Sequence, residues 1–325
     1  MARQYDADGN APLSWRAMDR RRSLLALSSL LAPAWSAAQP QPQPLMLGTS
    51  TAGGGFALYG EMLERVLNRR SGRTLLQARR TRGTAENLEL LARGDIDAAL
   101  IQGTAAGEVL AQGAASGLRI LFAMYPSPGL LAVPSASAAQ RLEDLRGRPV
   151  VFGVKASGLV TLARQVFDGI GLDIDRDFEA IYVEQAGQSP ALVIEGRAAA
   201  LWGAGEGWPG FVRLAQSAGG ARFLGPAREQ IPRIRAKYPL LQAMEVAAGS
   251  YPGIAAPLPT VGSVNWILAR ADLDEPRAAA FAAAMHEAAA EIAAELPQAA
   301  FSTLAHTLAS APSAELLHPA LRGLR

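Results

Sequence analysis

The chain has 325 residues, half of them apolar and 18% charged, with a formal net charge of +2, three histidines and no cysteine. That length suits about two domains with a sizeable core, and the missing thiols exclude a cysteine nucleophile, a cysteine-held zinc and any disulfide. Residues 1–38 hold five Arg and three Asp, so the remainder carries 26 basic and 26 acidic groups, a balance without the basic run that a nucleic-acid partner requires.

Arg20 to Arg22 precede the apolar segment SLLALSSLLAPAW, and Ser36-Ala37-Ala38 offers small residues at the −3 and −1 positions of a cleavage site. This is the order of a secretory signal peptide over residues 1–38, with Met18 as a second candidate start. Arg21-Arg22 with Leu24-Leu25 also resembles a twin-arginine signal. Residues 39–44, QPQPQP, follow as a PPII-like spacer. The expected location of the processed chain is the periplasm.

LMLG at 45–48 reads as a strand, GTSTAGGG as a loop and 56–70 as a helix. Gly48 and Gly53 have P-loop spacing, but Gly54 and Gly55 stand where Lys and Ser/Thr are required. Gly48 and Ser50 fit a nucleophile elbow, but Ala52 replaces its second glycine. What remains is a set of free backbone N–H groups, hydroxyls and a positive helix end, which suit an anionic oxygen. An ordinary strand-to-helix turn is the alternative reading.

TLLQA reads as the next strand, followed by a helix opening at GTAENLELLARG, capped by Thr84, with Asn87 in its first turn and Leu88, Leu91 and Ala92 on one face. DIDAALIQ, LRILFAMY and GLLAVP read as three strands. A second series follows: strand 149–154, loop KASG, helix 159–170, strand FEAIYV, helix 187–195, strand AAALWG, helix 208–217 and strand RFLG. This β-α alternation predicts mostly parallel sheets with helices on their faces, in two α/β lobes. Lobe I is expected to comprise 45–132 and 225–325, and lobe II 133–224.

The Ala-rich segment AAAFAAAMHEAAAEIAAEL carries Glu287, Glu291 and Glu295 at i, i+4 spacing, opposite Phe281, Met285 and Ile292. Interior charges make a membrane span costly, so a surface helix is expected. The KASG loop repeats the opening pattern: Gly153 and Gly158 have P-loop spacing, and Leu159 and Val160 replace Lys and Ser/Thr. Each lobe thus aims a loop-to-helix cradle, and together they suggest a clamp for a small anion.

Catalysis finds little footing. His286, His306 and His318 form no H-x-x-x-H or H-E-x-x-H spacing, which argues against a zinc site. A serine hydrolase using Ser50 with His318 is the enzymatic alternative, since triads assemble across folds. An orphan ligand sensor feeding a signalling partner is a third reading.

These loops, in this order, resemble the TAXI family, the solute-binding proteins of tripartite TRAP transporters. The matching stretches are GTSTAGGGFALYG at 48–60, RGTAENLEL at 82–90, GDIDAALIQ at 94–102, LEDLRGRPVVFGVKASG at 142–158, Thr260-Val261 and LHPA at 317–320. The resemblance spans essentially the whole processed chain. It implies an α/β, periplasmic-binding-protein type II-like fold, two lobes joined by hinge strands with the ligand cleft between them. It further implies a non-enzymatic, monomeric receptor, without cofactor or metal, that delivers a small anionic solute (an amino acid or dicarboxylate-like carboxylate) to TRAP membrane subunits.

The expected ligand contacts follow from both cradles. Thr49, Ser50 and Thr51 offer hydroxyls, Gly53, Gly54 and Gly55 allow close backbone approach, and Phe56 packs beside the solute. Ser157 with the amides of Gly158 and Leu159 holds a carboxylate from the other side, and Lys155 completes the charge balance. Trp208 walls the cleft, Trp202 is a second candidate wall, and Gly83, Gln102, Ala156 and Gly205 complete the set. Phe56-Ala57 in place of an aromatic pair, Leu159 for Thr, and Thr104 and Ala199 for Asp depart from the family pattern and make the rim more apolar.

Overall fold

The computed structural model describes residues 43–324. The expected signal peptide and most of the Gln/Pro spacer lie outside the described residues. In chain order the elements are β1 (Leu45–Gly48), α1 (Gly55–Ser71), β2 (Leu76–Arg79), α2 (Thr84–Arg93), β3 (Ala98–Ile101), α3 (Gly103–Leu110) and β4 (Leu118–Pro134). Next come β5 (Pro149–Gly153), α4 (Gly158–Gly169), β6 (Glu179–Tyr182), α5 (Ser189–Ile194), β7 (Ala200–Ala204), α6 (Pro209–Ala215) and β8 (Ala221–Leu224). The chain continues with α7 (Ile231–Lys237), β9 (Gln242–Val246), β10 (Leu258–Arg270), α8 (Glu275–Glu287), α9 (Ala289–Glu295) and α10 (Leu304–Ser310).

The strands are joined in the order β2-β1-β3-β10-β4-β7-β5-β6, with β9 on β10 and β8 on β4. β1 runs parallel to β2 and β3 in one half, and β5 runs parallel to β6 and β7 in the other. Two long strands stitch the halves together. β4 pairs β10 from Leu118 to Pro128 and then passes to β7 and β8 from Gly129 to Pro134. β10 pairs β9 through Leu258–Gly262 before joining β4 and β3.

LRILFAMY and GLLAVP are therefore one strand and not two. Pro126 and Pro128 supply no N–H to the ladder, which reads locally as a break. The ladder nonetheless continues through Ser127, paired with Ser263, and absorbs a register shift between Val264 and Trp266. Asn265 sits at that shift, fully buried, and its Nδ2 donates to Tyr125 O (3.1 Å) and Ser127 Oγ (2.6 Å).

One hydrophobic core fills the first half, from Leu47 and Leu63 to Phe281 and Met285. Two further cores lie against the second sheet, one around Phe152, Phe167 and Trp202 and one around Phe211, Phe223 and Tyr251. The Ala-rich segment forms two helices, α8 and α9, that meet at Ala288. Phe281, Met285 and Ile292 are fully buried, as the amphipathic pattern predicts. On the other face Glu295 pairs with Arg65 of α1 at 2.6 Å and Glu291 pairs with Arg69. Helix α2 differs from expectation in detail: Gly83 is its N-cap, and Thr84, at its first position, accepts Gln102 N–H at 3.1 Å. Ala92 is exposed, and the buried face runs through Thr84, Asn87, Leu90 and Leu91.

Candidate functional site

Helices α1 to α4 begin just beyond strands or short loops, so their N-terminal ends are presented at the strands' carboxyl edge. At α1 the cap is Gly54, which has no side chain to satisfy the first N–H groups, and Ser50 Oγ accepts only the Ala57 N–H (3.0 Å). At α2 the cap is Gly83, whose φ of 112° is left to glycine by sterics. At α3 Gln102 Oε1 accepts the N–H of Thr104 and Ala105, both at 3.1 Å, and the Thr104 hydroxyl at 2.7 Å. At α4 Ser157 Oγ accepts Val160 N–H at 3.4 Å.

These four ends border one cavity of about 100 Å³. Tyr125 and Ser127 of β4 and Asn265 of β10 also line it, so the strands shared by the two halves reach the site. Val154, Leu159, Leu162, Ala204 and Trp208 give it an apolar wall. Among the described residues that line it Arg82 is the only one with a charged side chain, and none of them brings a carboxylate to the space. Arg82 stands at the exposed mouth, where its Nε donates to Glu86 Oε2 at 3.2 Å. The Arg82 backbone N–H, then its guanidinium, hold the Glu86 carboxyl below the usual carboxylate range.

Two hydroxyls in the lining have no hydrogen-bond partner although they are buried: Tyr125 Oη and Ser189 Oγ. Their residues are 3% and 1% exposed. Burial, and then the neighbouring Tyr59, push the Tyr125 pKa upward, so the phenol stays protonated and available as a donor. A Cβ on Gly55 would stand 3.3 Å from Tyr125 Oη and 3.5 Å from Trp208 Cδ1, which locates both beside the start of α1.

The halves touch on either side of the cavity. Ala186 N–H donates to Thr51 Oγ1 (3.1 Å) and Gly187 N–H to Ala52 O (3.0 Å). Gly53, at φ 77°, is packed so close that a Cβ there would lie 2.4 Å from Gly187 Cα. Across the cavity a Cβ on Gly158 would lie 2.3 Å from Gln102 Cβ, and one on Gly83 would lie 3.4 Å from Ser157 Cα.

Of the residues singled out by sequence, Ser50, Thr51, Gly54, Gly55, Phe56, Gly83, Gln102, Ser157, Gly158, Leu159 and Trp208 line this cavity. Thr49, Gly53, Lys155, Ala156 and Gly205 do not. Thr49 is buried and gives its hydroxyl to Arg79 O at 3.0 Å. Lys155 is exposed, with Nζ 5.6 Å from the centre of the Tyr182 ring. Gly205 accepts the Tyr251 hydroxyl on its carbonyl (2.7 Å), a short step behind the wall. Trp202 belongs to the core and donates Nε1–H to Leu159 O at 3.0 Å, anchoring the start of α4 from behind. Sequence reading missed the polar lining residues Arg82, Thr84, Tyr125, Ser127, Ser189 and Asn265, and the small or apolar Gly153, Val154, Leu162, Ala186 and Ala204. Tyr125 was hidden in an all-apolar run, and only its place in a strand crossing between sheets marks it.

The Ser50 triad is not assembled. His318 N–H donates to Ile120 O, five residues along β4 from Tyr125, a distance of roughly 16 Å at ~3.3 Å per strand residue. None of the three histidines lines the cavity.

Two α/β halves, shared crossing strands and a solute-sized cavity between them define a periplasmic-binding-protein type II-like fold. The chain belongs to the NMT1-like family, whose model matches residues 47–322. No curated protein matches the sequence. Among solved structures, similarity extends to a binding-protein component of an ABC phosphonate transporter from Pseudomonas aeruginosa, at 14% identity over 79% of each chain with a TM-score of 0.50. A structure described as a periplasmic transporter matches at 11% identity over 81% of this chain and 88% of the other, with a TM-score of 0.52. The alkanesulfonate-binding protein SsuA from Xanthomonas axonopodis pv. citri, bound to MOPS, matches at 19% identity over 86% and 84%, with a TM-score of 0.48.

Proposed function

We propose that this protein is an extracytoplasmic solute receptor that captures a compact carboxylate in the cavity between its lobes, closes about β4 and β10, and delivers the solute to TRAP-type membrane subunits. The observation that carries the reading is the convergence of the N-terminal ends of α1, α2, α3 and α4 on one cavity to which no described residue brings a carboxylate. Each end adds about half a positive charge, and α1, α2 and α4 also keep first-turn N–H groups that no side chain takes, whereas those of α3 are held by Gln102 and Asn265, so the site favours an anion. Arg82 at the mouth adds a steering charge. The periplasmic location is supported by the order of charged, apolar and small residues in 1–38, and the TRAP assignment by the six ordered motif matches. The placement of the histidines away from Ser50 speaks for binding over hydrolysis.

Calorimetry with small organic acids and their neutral amides tests the anion reading: the acid should bind and the amide should not. Equal binding of both would sink it. Uptake into vesicles carrying TRAP-type membrane subunits tests delivery, and uptake that does not depend on added protein would remove the transport role.

A further inference from the structure

The receptor reading leaves the kind of anion open, and the lining narrows it. An α-ammonium group enclosed here would need a carboxylate, or at least free carbonyl acceptors. No described residue brings a carboxylate to the cavity. The two side-chain carbonyls in the lining are engaged: Gln102 Oε1 takes three donors, and Asn265 Oδ1 takes Gly103 N–H at 3.2 Å. A second carboxylate on the solute would fare little better, because the one lining guanidinium, Arg82, is at the mouth and already paired with Glu86.

The free polar groups are neutral hydroxyls, which can donate to an anion but offer an ammonium no countercharge. Tyr125 Oη and Ser189 Oγ are buried, unpartnered and part of the lining. They come from different halves, Tyr125 from the crossing strand β4 and Ser189 from the start of α5. Phe56, Val154, Leu159, Leu162 and Trp208 give the wall apolar stretches, set between hydroxyls of Ser50, Thr51, Ser127 and Ser157 that already accept an internal hydrogen bond. A cavity of about 100 Å³ is of the order of the ~150 Å³ that admits a benzene ring.

We infer that the cavity selects a compact organic anion with a single negative charge, an apolar body and no ammonium group, and that the hydroxyls of Tyr125 and Ser189 are specificity-determining donors to it. The inference rests on the anion-receptor reading and narrows its compact carboxylate to a monocarboxylate, in place of the amino acid or dicarboxylate that the family resemblance implies. Burying an ammonium without a partner costs far more than burying the methylene it replaces. The zwitterion is thus excluded by what the wall lacks, and the monoanion is welcomed by what it offers.

Four five-carbon probes that differ by one group test this by calorimetry on the exported chain: pentanoate, 2-aminopentanoate, pentanedioate and pentanamide. Pentanoate should bind, with 2-aminopentanoate and pentanedioate weaker by about a hundredfold or more. If either charged analogue binds as tightly as pentanoate, the inference is overturned while the anion reading stands. If pentanamide matches pentanoate, the anion reading itself falls. Failure of pentanoate to bind at all also overturns the inference. Tyr125→Phe and Ser189→Ala should each weaken pentanoate about tenfold. Neither should lower the melting temperature of the protein alone, because each hydroxyl lacks an internal partner. A lowered melting temperature with unchanged affinity would assign the two residues a structural role instead.

Discussion

Asn87 shows how one buried side chain fixes the backbone that leads into the cavity. Its Nδ2 donates to Thr49 O and Leu100 O, both at 2.9 Å, and its Oδ1 accepts the Thr81 hydroxyl at 2.8 Å. The close fit also explains Gly48, where a Cβ would lie 2.7 Å from Asn87 Oδ1. Asn87→Leu keeps the branched shape but removes three hydrogen bonds and crowds Gly48, leaving Thr49 O only its bond from the Thr81 hydroxyl, and is expected to destabilise the protein by about 3 kcal/mol in urea unfolding. His318 sets a pH limit. It is 1% exposed, and burial holds its imidazole pKa below the ordinary value; His306 is shifted the same way by the same cause. Unfolding restores a pKa of about 6.5, so the unfolded chain takes up protons that the folded one refuses. The stability from these two groups is complete above that pH and declines as pH falls below it. The melting temperature should therefore drop between pH 7 and 5.5, and His318→Gln should make that drop smaller.

At the scale of elements, Arg277 joins the start of the described chain to α8. Its guanidinium holds both oxygens of Asp97, at 2.6 and 3.2 Å, and donates to Gln43 O and Pro44 O. Asp97 in turn accepts Met46 N–H at the entry to β1. Arg277→Ala leaves a half-buried carboxylate unpaired and should cost about 2 kcal/mol, less than the ~3–5 of a fully buried pair, in the same urea measurement. Such long-range pairings explain what sequence could and could not tell. The alternation of strand and helix was legible because apolar periodicity and glycine loops are local signals, and the cradle at 48–56 and the one at 155–159 were found that way. The continuity of β4 was not legible, because Pro126 and Pro128 look like breakers until β10 is laid beside them. Lys155 was the cation nearest the cradles in sequence, yet Arg82 is the one in the lining, since sequence distance says nothing about where a loop folds back. Ser189 gave no sign beyond an ordinary helix start before Pro190.

For the whole molecule, the decisive feature is how little separates the two halves at the cavity's edges. The contacts of Gly53 with Gly187 and of Gly158 with Gln102 exist only because no Cβ intervenes. Gly158 is the better probe of the two, since its φ is not left-handed and alanine is the stronger helix former at the start of α4. Gly158→Ala relieves its clash by parting the lobes, so the melting temperature of the protein should change little, the helix gain offsetting the lost contact. The added Cβ, 2.3 Å from Gln102 Cβ, should also hold the lobes apart in the bound form. A solute bound by donors from both halves then loses the groups of one, because Tyr125 and Ser189 no longer reach it together. Affinity should fall at least about tenfold, as expected when a binding-competent arrangement becomes a minor population. Small-angle scattering in saturating solute should show a larger radius of gyration for Gly158→Ala than for the native chain. Equal radii and equal affinities would mean that the Gly158 contact follows from packing alone and plays no part in closure.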